Sequence, residues 1–178
     1  MFKKIFSPKI SVRIISQVAM LIAVAFILER MLPIVNLPTM RITLSFIPMM
    51  MCGMLFGPVW GAVAYGLSDV LGWFIMPLTP NYFILAARIV NGFLFGLILH
   101  RENLSIWSHS VISAVLTQVI CAMGLTTLGL SIFYGQPYVP LLVSRLPQFG
   151  VYIILQIAIF PYLVNLRDAL RKSGLIRE

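Results

Sequence analysis

Acid is scarce in this sequence. Only five of its 178 residues are Asp or Glu, two are His and two are Cys, and charged residues of all kinds make up 10%. A soluble domain carries about 25% charged residues. The chain therefore has too little polar surface to cover itself in water. The scarcity also excludes chemistries. A zinc site needs three or four Cys, His or carboxylate ligands held together. No CxxC pair, Cys/His cluster or His/Glu peptidase motif occurs, and the aspartate cluster of a phospholipid synthase is missing too. Cys52 and Cys121 fall inside apolar runs and read as buried packing thiols. No glycine-rich Walker loop is present to cradle a nucleotide. Neither an enzyme nor a resident metal or cofactor is expected.

What fills the chain is hydrocarbon. Hydrophobic residues make up 60% of it, in long runs. Runs of roughly 20 apolar residues span a bilayer as helices. The alternating segments of about 10 residues that mark a β-barrel are not seen. The expected fold is all-α, with residues 1–178 forming a single membrane domain of six transmembrane helices. The spans run near 14–32, 42–56, 59–76, 82–99, 111–130 and 149–166. Pro33 closes the first. Gly57-Pro58 reads as a tight turn, because proline cannot continue a hydrogen-bonded helix and glycine accepts turn dihedrals. The second and third spans thus form a short hairpin, with Pro48 expected to kink or loosen the second.

The net charge of +8 could suggest nucleic acid, but the cations stand at the ends of the apolar runs. Lys3, Lys4, Lys9 and Arg13 precede the first run. Arg101 lies in a middle loop, and Arg167, Arg171, Lys172 and Arg177 follow the last run. These nine mark one side as cytoplasmic by the positive-inside rule. Six spans place both termini there. His100 and His109 belong to the same side, in a short loop where solvated histidine is expected.

Four cations remain on the outer side: Arg30, Arg41, Arg88 and Arg145. Arg30 follows Glu29 and reads as interfacial. Arg88 lies about two turns into the fourth span. It either snorkels or pairs with Asp69, or else it lines an outward cavity with Arg41 and Arg145 and attracts a carboxylate. A guanidinium fork suits that task because it meets a carboxylate with two hydrogen bonds. As the deepest of the three, Arg88 is expected to matter most. Asp69 is the only acid well inside a span; it forms a structural ion pair or meets a ligand amino group. Trp73, Phe74, Tyr82, Phe83, Tyr134 and Tyr138 crowd the same level, as an aromatic belt or as platforms for a flat solute. Asn81 and Asn91 could add amide hydrogen bonds. On the first helix Ala19 and Ala23, with Ser16 one turn before, place small residues on one face, where another helix can approach.

The block RITLSFIPMMMCGMLFGPVWGAVAYGLSDVLGWF, from Arg41 to Phe74, carries a resemblance. So do NGFLFGLIL from Asn91 and LTTLGLSIFYGQPYVPLLVSRL from Leu125. Together they resemble the substrate-binding S components of bacterial energy-coupling factor (ECF) vitamin transporters, and most closely the folate branch. The similarity covers nearly the whole chain. It implies a six-helix, multi-pass subunit of the bacterial cell membrane that captures one vitamin from outside. It also implies partners: a scaffold membrane subunit and two cytoplasmic ATPases that hydrolyse the ATP. Ala19 and Ala23 match the family's docking motif, and Pro33 to Met40 match the loop that lids its pocket. The expected substrate-binding set is Arg41, Asp69, Trp73, Tyr82, Arg88, Asn91, Thr126, Tyr134 and Arg145.

Two stretches depart from the folate branch, NYFILAARIVNG at the fourth helix and Thr126-Thr127-Leu128-Gly129 in the fifth. Pantothenate, or a precursor of the hydroxymethylpyrimidine or pyridoxine type, is therefore the alternative ligand. A stand-alone secondary transporter or a membrane enzyme is the remoter alternative.

Overall fold

The computed structural model describes residues 10–36, 41–75, 80–100 and 106–173. Lys3, Lys4, Lys9, Arg101, Arg177 and residues 37–40 of the expected lid lie outside the described residues. Among the described residues the chain forms six helices and one small hairpin. Helix α1 is Val12–Arg30, α2 is Phe46–Phe56, α3 is Pro58–Ile75, α4 is Tyr82–Leu99, α5 is Ile106–Tyr134 and α6 is Tyr138–Lys172. Strands β1 (Val35–Asn36) and β2 (Arg41–Ile42) pair antiparallel between α1 and α2, with Val35 opposite Ile42. The helices α1, α4, α5 and α6 are long and apolar enough to cross a bilayer.

The short member is α2. Its 11 residues reach only about 16 Å at 1.5 Å per residue, roughly half the hydrocarbon thickness. It is apolar on all faces and sits in the middle of the core, where Met49, Met50, Cys52 and Met54 are almost fully buried. A helix hydrophobic all round belongs there. Pro48 does not act as a mid-helix break. The helix starts at Phe46, so Pro48 falls in its first turn, where the N–H groups have no intrahelical partner to lose.

Gly57 and Pro58 turn the chain from α2 into α3 as the sequence implies. Gly57 has φ 90° and ψ −175°, a combination essentially restricted to glycine. Pro58 then opens α3, where its fixed φ suits the first helical position. Gly57→Ala forces a side chain into this geometry and is expected to cost about 1–3 kcal/mol. A lowered thermal midpoint of the detergent-purified protein checks this; an unchanged midpoint refutes it.

Helices α2, α3 and α4 pack backbone against backbone. A Cβ placed on Gly61 would strike the carbonyl oxygen of Gly92, and one on Gly92 would strike that of Gly61. A Cβ on Gly53 would come within 2.8 Å of the Gly96 nitrogen. Close approach of this kind is how membrane helices gain contact without a hydrophobic driving force between them. Helix α1 packs on α2 and α3, and α5 joins α4 to α6.

Two helices outrun the sequence expectation. The sixth span was expected from Phe149, but α6 begins at Tyr138 and carries Pro147 and Pro161 inside it. Membrane helices tolerate internal proline because neighbours re-satisfy the freed carbonyls. Arg145 therefore stands within a helix rather than ahead of one. The fifth helix includes ten π-helical residues, Thr117–Thr126. The Thr127 hydroxyl donates to the Ala122 carbonyl at 2.8 Å, which supplies a partner within the irregular stretch. The two histidines also differ from expectation. His109 lies inside α5 and is only 3% exposed, and His100 caps α4 with its Nδ1 3.1 Å from the Met54 carbonyl.

Candidate functional site

Because α2 starts halfway through the bundle, the outer half of its place in the core is open. A cavity of about 500 Å³ occupies that space, within the range of roughly 300–1,000 Å³ usual for small-molecule sites. Its floor is the N-terminal end of α2, with Ser45 and Phe46. No side chain caps that helix end, so its N–H groups favour negative charge nearby.

Each neighbouring element contributes the residues of its outer part. Tyr65, Asp69 and Trp73 come from α3, Arg88 and Asn91 from α4, and Thr126 and Tyr134 from α5. Arg145 projects from α6, and Arg41 from the β-hairpin. The cavity thus gathers eight of the nine residues expected to bind substrate. Tyr82 is the exception: it is 73% exposed, and its ring instead packs edge-on against Trp73 with centroids 5.9 Å apart. Its place at the first position of α4 turns it outward.

Asn81 lines the cavity but its amide is engaged. Its Oδ1 accepts from the Phe83 and Ile84 amides and caps α4, while its Nδ2 faces the Gly129 carbonyl at 3.5 Å. The residues not foreseen include Glu29, Thr43, Gln118, Gln148 and Tyr152. Glu29 left one usable signal, an acid in the last turn of an apolar helix.

The charges pair in a way that linear order hides. Glu29 meets Arg88 through both carboxylate oxygens, with Arg88 Nη1 donating to Oε2 at 3.3 Å and Nη2 to Oε1. The next residue, Arg30, turns the other way and pairs with Asp69 at 3.5 Å. Arg30 is thus a largely covered member of the cavity wall, its side chain 9% exposed, rather than an interfacial residue. Arg88 takes Glu29, not Asp69, as its partner.

Arg41 and Arg145 are different. Arg41 Nη2 donates to the Glu29 backbone carbonyl at 2.6 Å, and Arg145 Nη1 to the Thr127 hydroxyl at 3.3 Å. The Arg145 guanidinium also lies 5.7 Å from the Phe149 ring centroid. Among the described residues no carboxylate pairs with either arginine. Burial, helped by the neighbouring Arg30, lowers Arg41 from its ordinary pKa, a cost that a bound anion would relieve. The backbone of Arg41 is tied to the helix that carries Arg145. Gln148, one turn along α6 from Arg145, donates to the Arg41 carbonyl at 2.6 Å, and Tyr152 does so at 3.3 Å.

Among the described residues six buried polar atoms of the wall lack a protein hydrogen-bond partner: Arg41 Nε, Arg145 Nε, Asp69 Oδ2, Asn91 Oδ1, Gln118 Oε1 and Gln148 Oε1. Buried polar groups are normally paired. All six belong to residues that line this cavity.

Residues 14–164 match the family described as "ECF transporter, substrate-specific component". The chain belongs to this family. As an S component it is a multi-pass protein of the bacterial membrane and a transport subunit, not an enzyme. Its curated relatives include the folate transporter FolT of Streptococcus mutans, 30% identical over 151 residues, covering 78% of this chain and 76% of the relative. FolT of Clostridium novyi is 30% identical over 137 residues, with 76% and 78% covered. The crystal structure of FolT bound with folic acid superposes with a TM-score of 0.77 at 25% identity, over 88% of this chain and 94% of that one. The S component for biotin from an ECF-type ABC transporter superposes with a TM-score of 0.63 at 23% identity, over 93% and 96%. That last likeness concerns the fold alone.

Proposed function

We propose that this S component binds folate from the outside and delivers it to an ATP-driven module of a scaffold membrane subunit and two cytoplasmic ATPases. The charge balance of the cavity carries the choice of ligand. Among the described residues four guanidiniums and two carboxylates line it, and two ion pairs leave only Arg41 and Arg145 without an acid. Two such cations in one cavity match the two carboxylates of a glutamyl tail. The orphaned oxygens of Asp69, Asn91 and Gln118 come from α3, α4 and α5. They suit the amino and ring N–H donors of a pterin. Phe46, Tyr65, Trp73 and Phe149 supply the flat apolar surface a fused ring needs. Pantothenate has one carboxylate and no ring, so it leaves a cation and these faces unused. Likeness to proteins named folate transporters supports the same reading.

Calorimetry with folic acid and with pantothenate on the purified protein tests it, beside mass analysis of any co-purified ligand. Folic acid is expected to bind and pantothenate not to displace it. Binding of pantothenate without binding of folic acid overturns the proposal.

A further inference from the structure

We infer that Glu29 is a specificity-determining residue: it sets how many anionic groups the cavity accepts by compensating the charge of Arg88. The inference rests on the folate reading of the same site. A guanidinium in a cavity wall takes its counter-charge either from the protein or from the ligand. Arg88 faces the cavity with its side chain 29% exposed, while its Nη1–Nη2 edge is filled by both oxygens of Glu29. Such a fork-to-fork contact compensates the charge of Arg88 and leaves a second carboxylate only the side edge of a guanidinium that already has its counter-ion.

Glu29 is itself fixed from the other side. Its backbone carbonyl accepts from Arg41, which ties the last turn of α1 to the β-hairpin. The pair is poorly explained as a stabilising device. Desolvation of a buried carboxylate and a largely covered guanidinium offsets much of their attraction, so such an ion pair is weak grounds for stability. Its consequence for a ligand is direct. With Glu29 ionised, the cavity offers two unpaired cations; without it, three. A third carboxylate on the ligand would find no free cation and would approach the Glu29 oxygens. The Arg30–Asp69 pair is looser, a single 3.5 Å contact that leaves Asp69 Oδ2 without a partner among the described residues.

The test compares folic acid, with two carboxylates, and its γ-linked diglutamyl form, with three, by calorimetry on the full chain in detergent. The parent is expected to favour folic acid. In Glu29→Gln the ratio of the two affinities should move toward the diglutamyl form by roughly tenfold or more, the size of one charge-assisted contact. Glu29→Gln combined with Arg88→Gln should restore the parent ratio, because it removes the freed cation. A role confined to holding the fold predicts no such rescue. A ratio that stays within about twofold in Glu29→Gln, or that stays shifted in the double variant, overturns the inference. Should Glu29→Gln fail to fold, Arg88→Gln tests the same idea in reverse. It leaves Glu29 uncompensated and should move preference toward the mono-amide of folic acid; an unmoved preference overturns the inference. A parent protein that binds no folic acid refutes the folate reading itself, and this inference with it.

Discussion

Arg145→Gln is expected to weaken binding of folic acid by roughly 10- to 150-fold, since a hydrogen bond to a charged group contributes about 1.5–3 kcal/mol and 1.4 kcal/mol is tenfold. Arg145 is only 8% exposed, meets a hydroxyl rather than an acid, and carries an orphaned Nε. Thr127 and Phe149 hold the guanidinium in place, so little ordering remains to be done on binding. Loss of affinity alone would not show that it meets a carboxylate. The decisive measurement pairs the substitution with a ligand amidated at one carboxylate. Amidation should cost the parent protein affinity, but cost Arg145→Gln much less for one of the two mono-amides, and Arg41→Gln should behave likewise.

Arg88→Gln is not a direct test of the same kind, because Arg88 already pairs with Glu29 and its removal leaves that carboxylate as a new uncompensated anion. Depth alone made Arg88 the leading candidate in the sequence; its partner moves that role to Arg145 and Arg41. Equal amidation costs with and without Arg145 and Arg41 would leave both as structural cations and refute the assignment.

Ala19→Trp combined with Ala23→Trp is expected to abolish uptake while leaving the dissociation constant for folic acid within a few-fold of the parent. Helix α1 buries one stripe, Val18, Ile22, Ala25 and Glu29, against its own bundle. Ser16, Ala19 and Ala23 lie on its other side and are exposed. Two indoles there disturb no internal packing, but they hold a partner helix beyond the close approach that small residues permit. Uptake of labelled folate by cells carrying the complete transporter, set beside calorimetry on the purified variant, separates the two effects. Normal uptake would refute docking through this face. Loss of binding as well would show that the residues serve the bundle instead.

Composition and local pattern were enough for the class of the molecule. Hydrocarbon-rich runs have few stable solutions in a bilayer, since every backbone polar group must be satisfied within the segment. The all-α, six-helix membrane fold was therefore legible from residues read a few at a time. The Gly57-Pro58 turn was legible for the same reason, because its dihedral demands involve two neighbours only. The outer cations could be picked out because a guanidinium is costly at that depth unless something receives it. Proline read locally misled at Pro48, which falls in the first turn of α2 instead of breaking it.

Which cation receives what was decided only by the tertiary structure. Glu29 and Arg88 stand 59 residues apart and Arg30 and Asp69 39 apart, on helices whose rotation follows from contacts such as Gly61 against Gly92. Adjacent residues Glu29 and Arg30 take partners on different helices, a choice no local window contains. The cavity has the same origin. It is the space left above an 11-residue helix surrounded by longer ones, and its walls face one another only after six separate segments have packed.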